Sequence, residues 1–127
     1  MPTLKEIMTP DAFTTMPSAP VAEVAASMLK GRFGSVLVME GSVLMGIFTE
    51  RDVLRAAAAH ADLTSSRVSD WMTGDPVTAS PDMDTGEAAE IMMSQGFRHL
   101  PVVDGNAVVG IVSLRDLMRI RVRRSPS

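Results

Sequence analysis

Apolar residues recur at helical spacing early in the chain. Val21, Val24, Ala25, Met28 and Leu29 stand at i, i+3, i+4, i+7 and i+8, one face of a helix turned toward a core. Thr85, Ala88, Ala89, Met92 and Met93 repeat the same spacing. Met28, Met92 and Met93 are expected to fill that core. Pro20 near the start of the first helix is compatible with a first turn, and Gly31 and Gly96 suit the helix ends. Each helix is preceded by a short extended segment, Phe13 to Met16 or Val77 to Ser80, and followed by two apolar runs. The runs are Val36–Met39 with Val43–Phe48, and Leu100–Val103 with Val108–Val112. Glu40-Gly41 and Asp104-Gly105-Asn106 read as the hairpin turns between them. A second helix is predicted from about Arg51 to His60, and from about Arg115 to Arg121. The runs are continuous and do not alternate, which predicts strands covered on both faces.

These elements are two copies of one pattern. Ile7 aligns with Trp71 and Asp52 with Asp116, both 64 positions apart, with no gap between. Met8/Met72, Thr9/Thr73, Pro17/Pro81, Phe33/Phe97, Gly46/Gly110 and Arg51/Arg115 coincide in that register. Each copy reads β-α-β-β-α, an α/β (α+β) chain of two repeats. The first spans 1–62 with its N-terminal lead-in, and the second spans 63–127 with a basic tail. The segment Ala61–Arg67 between them is short and polar and is expected to be exposed. Half of this chain would bury too little apolar surface to be stable alone, so the copies are expected to share a core.

Composition narrows the chemistry. The chain has 127 residues, of which 46% are hydrophobic, with no cysteine and two histidines. Disulfides, Cys-ligated metals and a His-rich metal site are excluded. No apolar run is long enough to span a bilayer and the N-terminus does not read as a secretory signal, so a cytoplasmic location without membrane contact is expected. A net charge of −3 argues against a general nucleic-acid binder. The basic stretch Arg119, Arg121, Arg123 and Arg124 reads as a helix C-terminus, where cations suit the dipole. There is no P-loop, no dinucleotide fingerprint and no nucleophile elbow. Catalysis is not expected.

The candidate chemistry lies where each third strand meets the last helix: Thr49-Glu50-Arg51-Asp52 and Ser113-Leu114-Arg115-Asp116. One reading is a capping box, with the acidic group returning to the N–H of the cap residue. That explains Thr49, Ser113, Asp52 and Asp116 but not Arg51 and Arg115, which oppose the helix dipole by about 0.3–1 kcal/mol. The other reading adds an anionic ligand. Helix-start N–H groups and arginine take phosphate, and a carboxylate accepts ribose hydroxyls. The approach to the second strand, Arg32 to Val38 and Gly96 to Val102, is the second recurrent feature. Pro101 has no N–H and is expected at a strand edge or start, leaving backbone groups to meet a planar base. Phe97 and Leu100 offer apolar contact, and His99 is either a partly exposed strand residue or a phosphate or ribose contact.

Taken together, the lead-in Ile7-Met8-Thr9-Pro10, the run Arg98–Asp104 and the closing Gly-Ile-x-[ST]-x-Arg-Asp at Gly46–Asp52 and Gly110–Asp116 resemble the cystathionine β-synthase-type (CBS) domain. A tandem pair of these is called a Bateman module. The resemblance runs from about Leu4 to Arg121. It implies two repeats packed by their sheets around a pseudo-two-fold axis, with adenosyl ligands (AMP, ADP, ATP or S-adenosylmethionine) in two clefts. One would combine Thr49, Arg51 and Asp52 with Thr78, Phe97, Arg98, His99, Leu100 and Pro101. The other would combine Ser113, Arg115 and Asp116 with Thr14, Gly34, Ser35 and Val36. The first is expected to bind more strongly, because Leu37 and Gly34-Ser35 give the second a blander wall. The resemblance further implies a non-catalytic regulatory or energy-sensing module that needs no cofactor, is a homodimer and acts on a separate effector protein. The alternative is an interaction or scaffold protein whose clefts are vestigial.

Overall fold

The computed structural model describes residues 2–124, and the side chains of residues 2–119. In chain order the elements are α1 (Leu4–Ile7), β1 (Thr14–Thr15), α2 (Val21–Gly31), β2 (Ser35–Glu40), β3 (Val43–Thr49), α3 (Glu50–Ala58), α4 (Val68–Trp71), β4 (Thr73–Gly74), α5 (Thr85–Gln95), β5 (His99–Asp104), β6 (Ala107–Ser113) and α6 (Leu114–Arg124). The mixed α/β class is as read from the sequence, and so is the β-α-β-β-α order of the first repeat; in the second repeat the extended segment expected at Val77 to Ser80 is reduced to an isolated bridge at Ala79. The short helices α1 and α4 and strand β4 are additional. Beyond Arg119, the basic run of Arg121, Arg123 and Arg124 lies outside the residues whose side chains are described.

The chain forms two compact units. One comprises residues 13–76. The other joins residues 1–12 to residues 77–127. In the unit of residues 13–76, the sheet order is β1-β2-β3-β4, with β1 parallel to β2 and the other pairs antiparallel. Val21, Val24 and Met28 of α2 pack on Val36, Val38 and Phe48, and Val68 of α4 closes the cluster. The linker is only partly exposed. Its Leu63 packs against that cluster, and its Leu63 and Ser66 carbonyls accept the N–H groups of Ala22 and Val21. Asp62 turns the linker by accepting the amide (3.0 Å) and hydroxyl (2.6 Å) of Thr64. The Thr64 hydroxyl, with its amide, holds the Asp62 carboxyl below the ordinary carboxylate range.

The other unit repeats this plan. Ala88 and Met92 of α5 pack on Leu100, Val102, Val112 and Leu117. Leu4 of α1 takes the place that Val68 takes in the first core. Thr9 bridges Ile111 beside β6, as Thr73 of β4 pairs with Ile47. The lead-in before each repeat thus completes the core of the other repeat's strands.

Three expectations change. Met93 is 70% exposed while its neighbour Met92 is 1% exposed, so Met93 does not fill the core. Leu29, its counterpart, is exposed too. The apolar stripe is narrower than the sequence spacing implies. The end of α2 also shifts by one residue. Gly31 is its last helical residue and Arg32 takes the left-handed conformation (φ 58°), where glycine is the usual choice. A Cβ at Gly31 would meet the Phe33 ring, which places the glycine one residue early. Pro101, finally, sits inside β5 between β6 and the Ala79 bridge, not at an edge. At the equivalent position Leu37 donates its N–H to the Phe13 carbonyl (3.0 Å). Pro101 has no such donor, so the segment around Thr78 pairs through a single bridge at Ala79, where Thr14–Thr15 form a strand.

Gly46 and Gly110 let the lead-ins approach. A Cβ at Gly46 would lie 2.5 Å from the Thr73 carbonyl oxygen, and one at Gly110 would lie 2.7 Å from the Thr9 carbonyl oxygen. Both contacts are to backbone, which cannot swing aside. Gly46→Ala and Gly110→Ala are each expected to lose about 1–3 kcal/mol through overpacking, lowering the melting midpoint by several degrees. Gly74→Ala, with nothing within 4 Å of its Cβ, should melt with the wild type. A Gly46→Ala protein that does the same would show that the close approach is not required.

Candidate functional site

In each unit, the start of the second strand and the start of the last helix are tied together. The Glu50 N–H donates to the Gly34 carbonyl (3.0 Å), and the Leu114 N–H donates to the Arg98 carbonyl (2.8 Å). Ser35 pairs with Thr49, and His99 pairs with Ser113. Thr14 lies alongside Leu37 on the neighbouring strand. One unit therefore gathers Thr14, Gly34, Ser35, Val36, Thr49, Arg51 and Asp52. The other gathers Thr78, Phe97, Arg98, His99, Leu100, Pro101, Ser113, Arg115 and Asp116.

The side chains of these residues are not equally placed. Val36 and Leu100 are buried in the two cores and present only backbone. Pro101 is buried as well, and Phe97 packs half-buried against its core. Thr14, Thr78, Arg98, Arg51 and Arg115 are exposed, whereas Gly34, Ser35, Thr49, His99, Ser113 and Asp116 are half-buried.

The capping geometry is present at both helix starts. The N–H of Thr49 donates to Asp52 Oδ2 (2.9 Å), and the Thr49 hydroxyl donates to the same oxygen (3.1 Å). The N–H of Ser113 donates to Asp116 Oδ2 (3.1 Å), and the Asp116 N–H returns to Ser113 Oγ (3.1 Å). Each turn is thus held by a carboxylate from three residues on, which satisfies a donor that the helix start leaves open. Arg51 and Arg115 take no part in this and make no ion pair among the described residues. They stand in the first helical turn as uncompensated cations, able to meet an anion that the helix-start amides also favour.

Sequence reasoning missed Arg55 and Trp71. Arg55 Nη1 donates to Asp52 Oδ1 at 2.9 Å, and its guanidinium lies over the Trp71 ring, 5.6 Å from the centroid. Asp52 is only 5% exposed, so this completes the pairing of a buried charge. The signal was available, since an arginine three residues after each Asp (Arg55 and Arg119) shares a helix face with it. Among the described residues, no group of three or more His, Asp or Glu side chains could hold a metal ion, and no helix is long and apolar enough to cross a membrane.

With this geometry, two copies of one β-α-β-β-α unit carry matched strand-to-helix turns, each with a capping carboxylate and an exposed arginine. The CBS domain family matches residues 4–59 and 68–123. The chain belongs to that family, as a tandem pair of CBS domains. It is 34% identical over 117 residues to the CBS domain-containing protein YhcV of Bacillus subtilis, covering 92% of this chain and 84% of that one. It is 36% identical over 118 residues to an uncharacterized 17.7 kDa protein of Acidianus ambivalens, covering 91% and 71%. Among solved structures, it is similar to the CBS domain pair of protein MJ0100 in complex with 5′-methylthioadenosine and S-adenosyl-L-methionine. The TM-score is 0.89 at 26% identity, covering 97% of this chain and 98% of that one.

Among the described residues the Asp52 carboxylate accepts three hydrogen bonds and the Asp116 carboxylate one, and Asp52 is more deeply buried. Asp52→Ala is expected to cost about 1.5–3 kcal/mol, the range for hydrogen bonds to a buried charge, and Asp116→Ala about 1 kcal/mol, the value of a lost cap. Urea unfolding of the two variants checks this. Equal losses would contradict the unequal pairing.

Proposed function

We propose that this chain is a non-catalytic regulatory module that binds an adenosyl ligand, AMP, ADP, ATP or S-adenosylmethionine, and acts on a separate partner protein in the cytoplasm. The observation that carries the reading is the duplicated helix start. Each joins a capping carboxylate to an arginine that makes no ion pair among the described residues. Capping alone leaves that arginine unexplained, and a phosphate or carboxylate on the ligand explains it. In this reading the capping carboxylates Asp52 and Asp116 are the candidates to hold ribose hydroxyls, while Thr49, Ser113, Arg51 and Arg115 face the anionic part of the ligand. Thr14 with Gly34, Ser35 and Val36, and Thr78 with Phe97, Arg98, His99, Leu100 and Pro101, flank adenine, largely through backbone groups. The adenosyl ligands of the MJ0100 domain pair support this ligand class, and no cofactor is required.

We further propose that the chain pairs with a second copy of itself. Leu29 and Met93, and Leu54 and Met118, are exposed apolar residues at equivalent positions of the two repeats, and a second copy would cover such side chains. A second reading, an interaction protein with vestigial ligand sites, draws on Asp52. Its carboxylate is already satisfied by Thr49 and Arg55, so in that repeat the motif accounts for itself without a ligand.

The test is the melting temperature of the purified chain with AMP, ADP, ATP, S-adenosylmethionine or 5′-methylthioadenosine. At about 100 times its dissociation constant, a ligand adds about 2.7 kcal/mol, a shift of several degrees. A selective shift that disappears in Asp116→Asn supports the sensor reading. No shift with any of them favours the interaction protein.

A further inference from the structure

We infer that Arg55, steadied by Trp71, occupies the Asp52 carboxylate as an internal cation, so that the first helix start is closed to ligand while the second is open. This rests on the adenosyl reading above and names which of its two carboxylates reads ribose. The two repeats carry the same pair at the same spacing, Asp52 with Arg55 and Asp116 with Arg119. Only the first pair is joined, at 2.9 Å, and no ion pair links Arg119 to Asp116 among the described residues. The difference lies in the lead-in. At the position facing α3 the chain has Trp71, whose ring lies under the Arg55 guanidinium at 5.6 Å and whose carbonyl is 3.5 Å from Nη1. At the equivalent position the chain has Ile7, which offers no π face. An ion pair with one exposed partner contributes little alone, and the Arg55 side chain is 56% exposed. The aromatic face adds a cation–π attraction and a fixed direction.

The consequence concerns the carboxylate oxygens. In Asp52, Oδ2 takes two donors from Thr49 and Oδ1 takes Arg55. In Asp116, Oδ2 takes the Ser113 N–H and the described residues give Oδ1 no donor. Ribose hydroxyls are neutral donors, and at Asp52 they would have to replace a charge-assisted bond, the stronger kind. At Asp116 no described side chain stands on Oδ1 to be displaced. This reverses the order of the two sites expected from the strand residues alone.

The test titrates S-adenosylmethionine and AMP into wild type, Arg55→Gln, Trp71→Ile and Asp116→Asn, by calorimetry. Emission of Trp71, the chain's one tryptophan, is followed in the proteins that retain it. The expected result is one equivalent bound per wild-type chain, lost in Asp116→Asn, with Trp71 emission unchanged by ligand. Arg55→Gln and Trp71→Ile should each take up a second equivalent, at least about tenfold tighter than any second step in the wild type. In Arg55→Gln, Trp71 emission should follow that second step. Two equal sites in the wild type overturn the inference and leave the adenosyl reading standing. So does a stoichiometry and affinity that neither Arg55→Gln nor Trp71→Ile changes. Failure of both probes to bind any of the four proteins overturns the adenosyl reading and this inference with it.

Discussion

A carboxylate that reaches back three residues holds each strand-to-helix turn of this protein, and most of what the molecule presents to a ligand depends on it. Asp52 fixes the amide of Thr49, and Asp116 fixes that of Ser113. Those bonds set the direction in which α3 and α6 leave the sheet. They also place the next amides, Glu50 and Leu114, on the carbonyls of Gly34 and Arg98, so the start of the second strand is positioned through the same turn. An arginine in the first helical turn, a carboxylate beside it and the start of the second strand are thereby brought together in each unit. The capping role and the proposed ligand role are one arrangement: the acid that satisfies the helix start on one oxygen has a second oxygen to offer, unless another group takes it.

The lead-ins supply the second constraint. Leu4 and Val68 each fill the core of the unit to which their segment belongs, and the glycines at 46 and 110 bring the lead-in backbone against the third strand. A segment that precedes one repeat in sequence therefore packs with the strands of the other. This arrangement also brings position 71 beside α3 and makes the repeats chemically unequal, since a tryptophan beside Arg55 steadies a cation that an isoleucine would not.

Much of this was legible in the sequence because it depends on short-range spacing. The helical spacing of Val21, Val24 and Met28, the glycine turns at 41 and 105, and the Thr/Ser-x-x-Asp boxes are local patterns, and the structure has them. What escaped reading depends on contacts distant in sequence. Helices α1 and α4 have four residues each, too few to show a period, and exist because Leu4 and Val68 are buried. Met93 shares the spacing of the core methionines but is exposed. Pro101 looked like an edge residue because a missing N–H is costly in a central ladder, yet only one flank loses a bond and that flank pairs weakly. Arg55 was unremarkable until Trp71, sixteen residues on, was seen beneath it.

The most direct test of the account is a two-dimensional amide NMR titration of the full chain with S-adenosylmethionine, since it reads the helix-start amides themselves. The account predicts that the Ser113 and Leu114 amides move with the first equivalent of ligand while Thr49 and Glu50 hold their positions. Saturation that shifts amides elsewhere and leaves Ser113 and Leu114 unmoved would contradict it, and would return the duplicated boxes to a purely structural role.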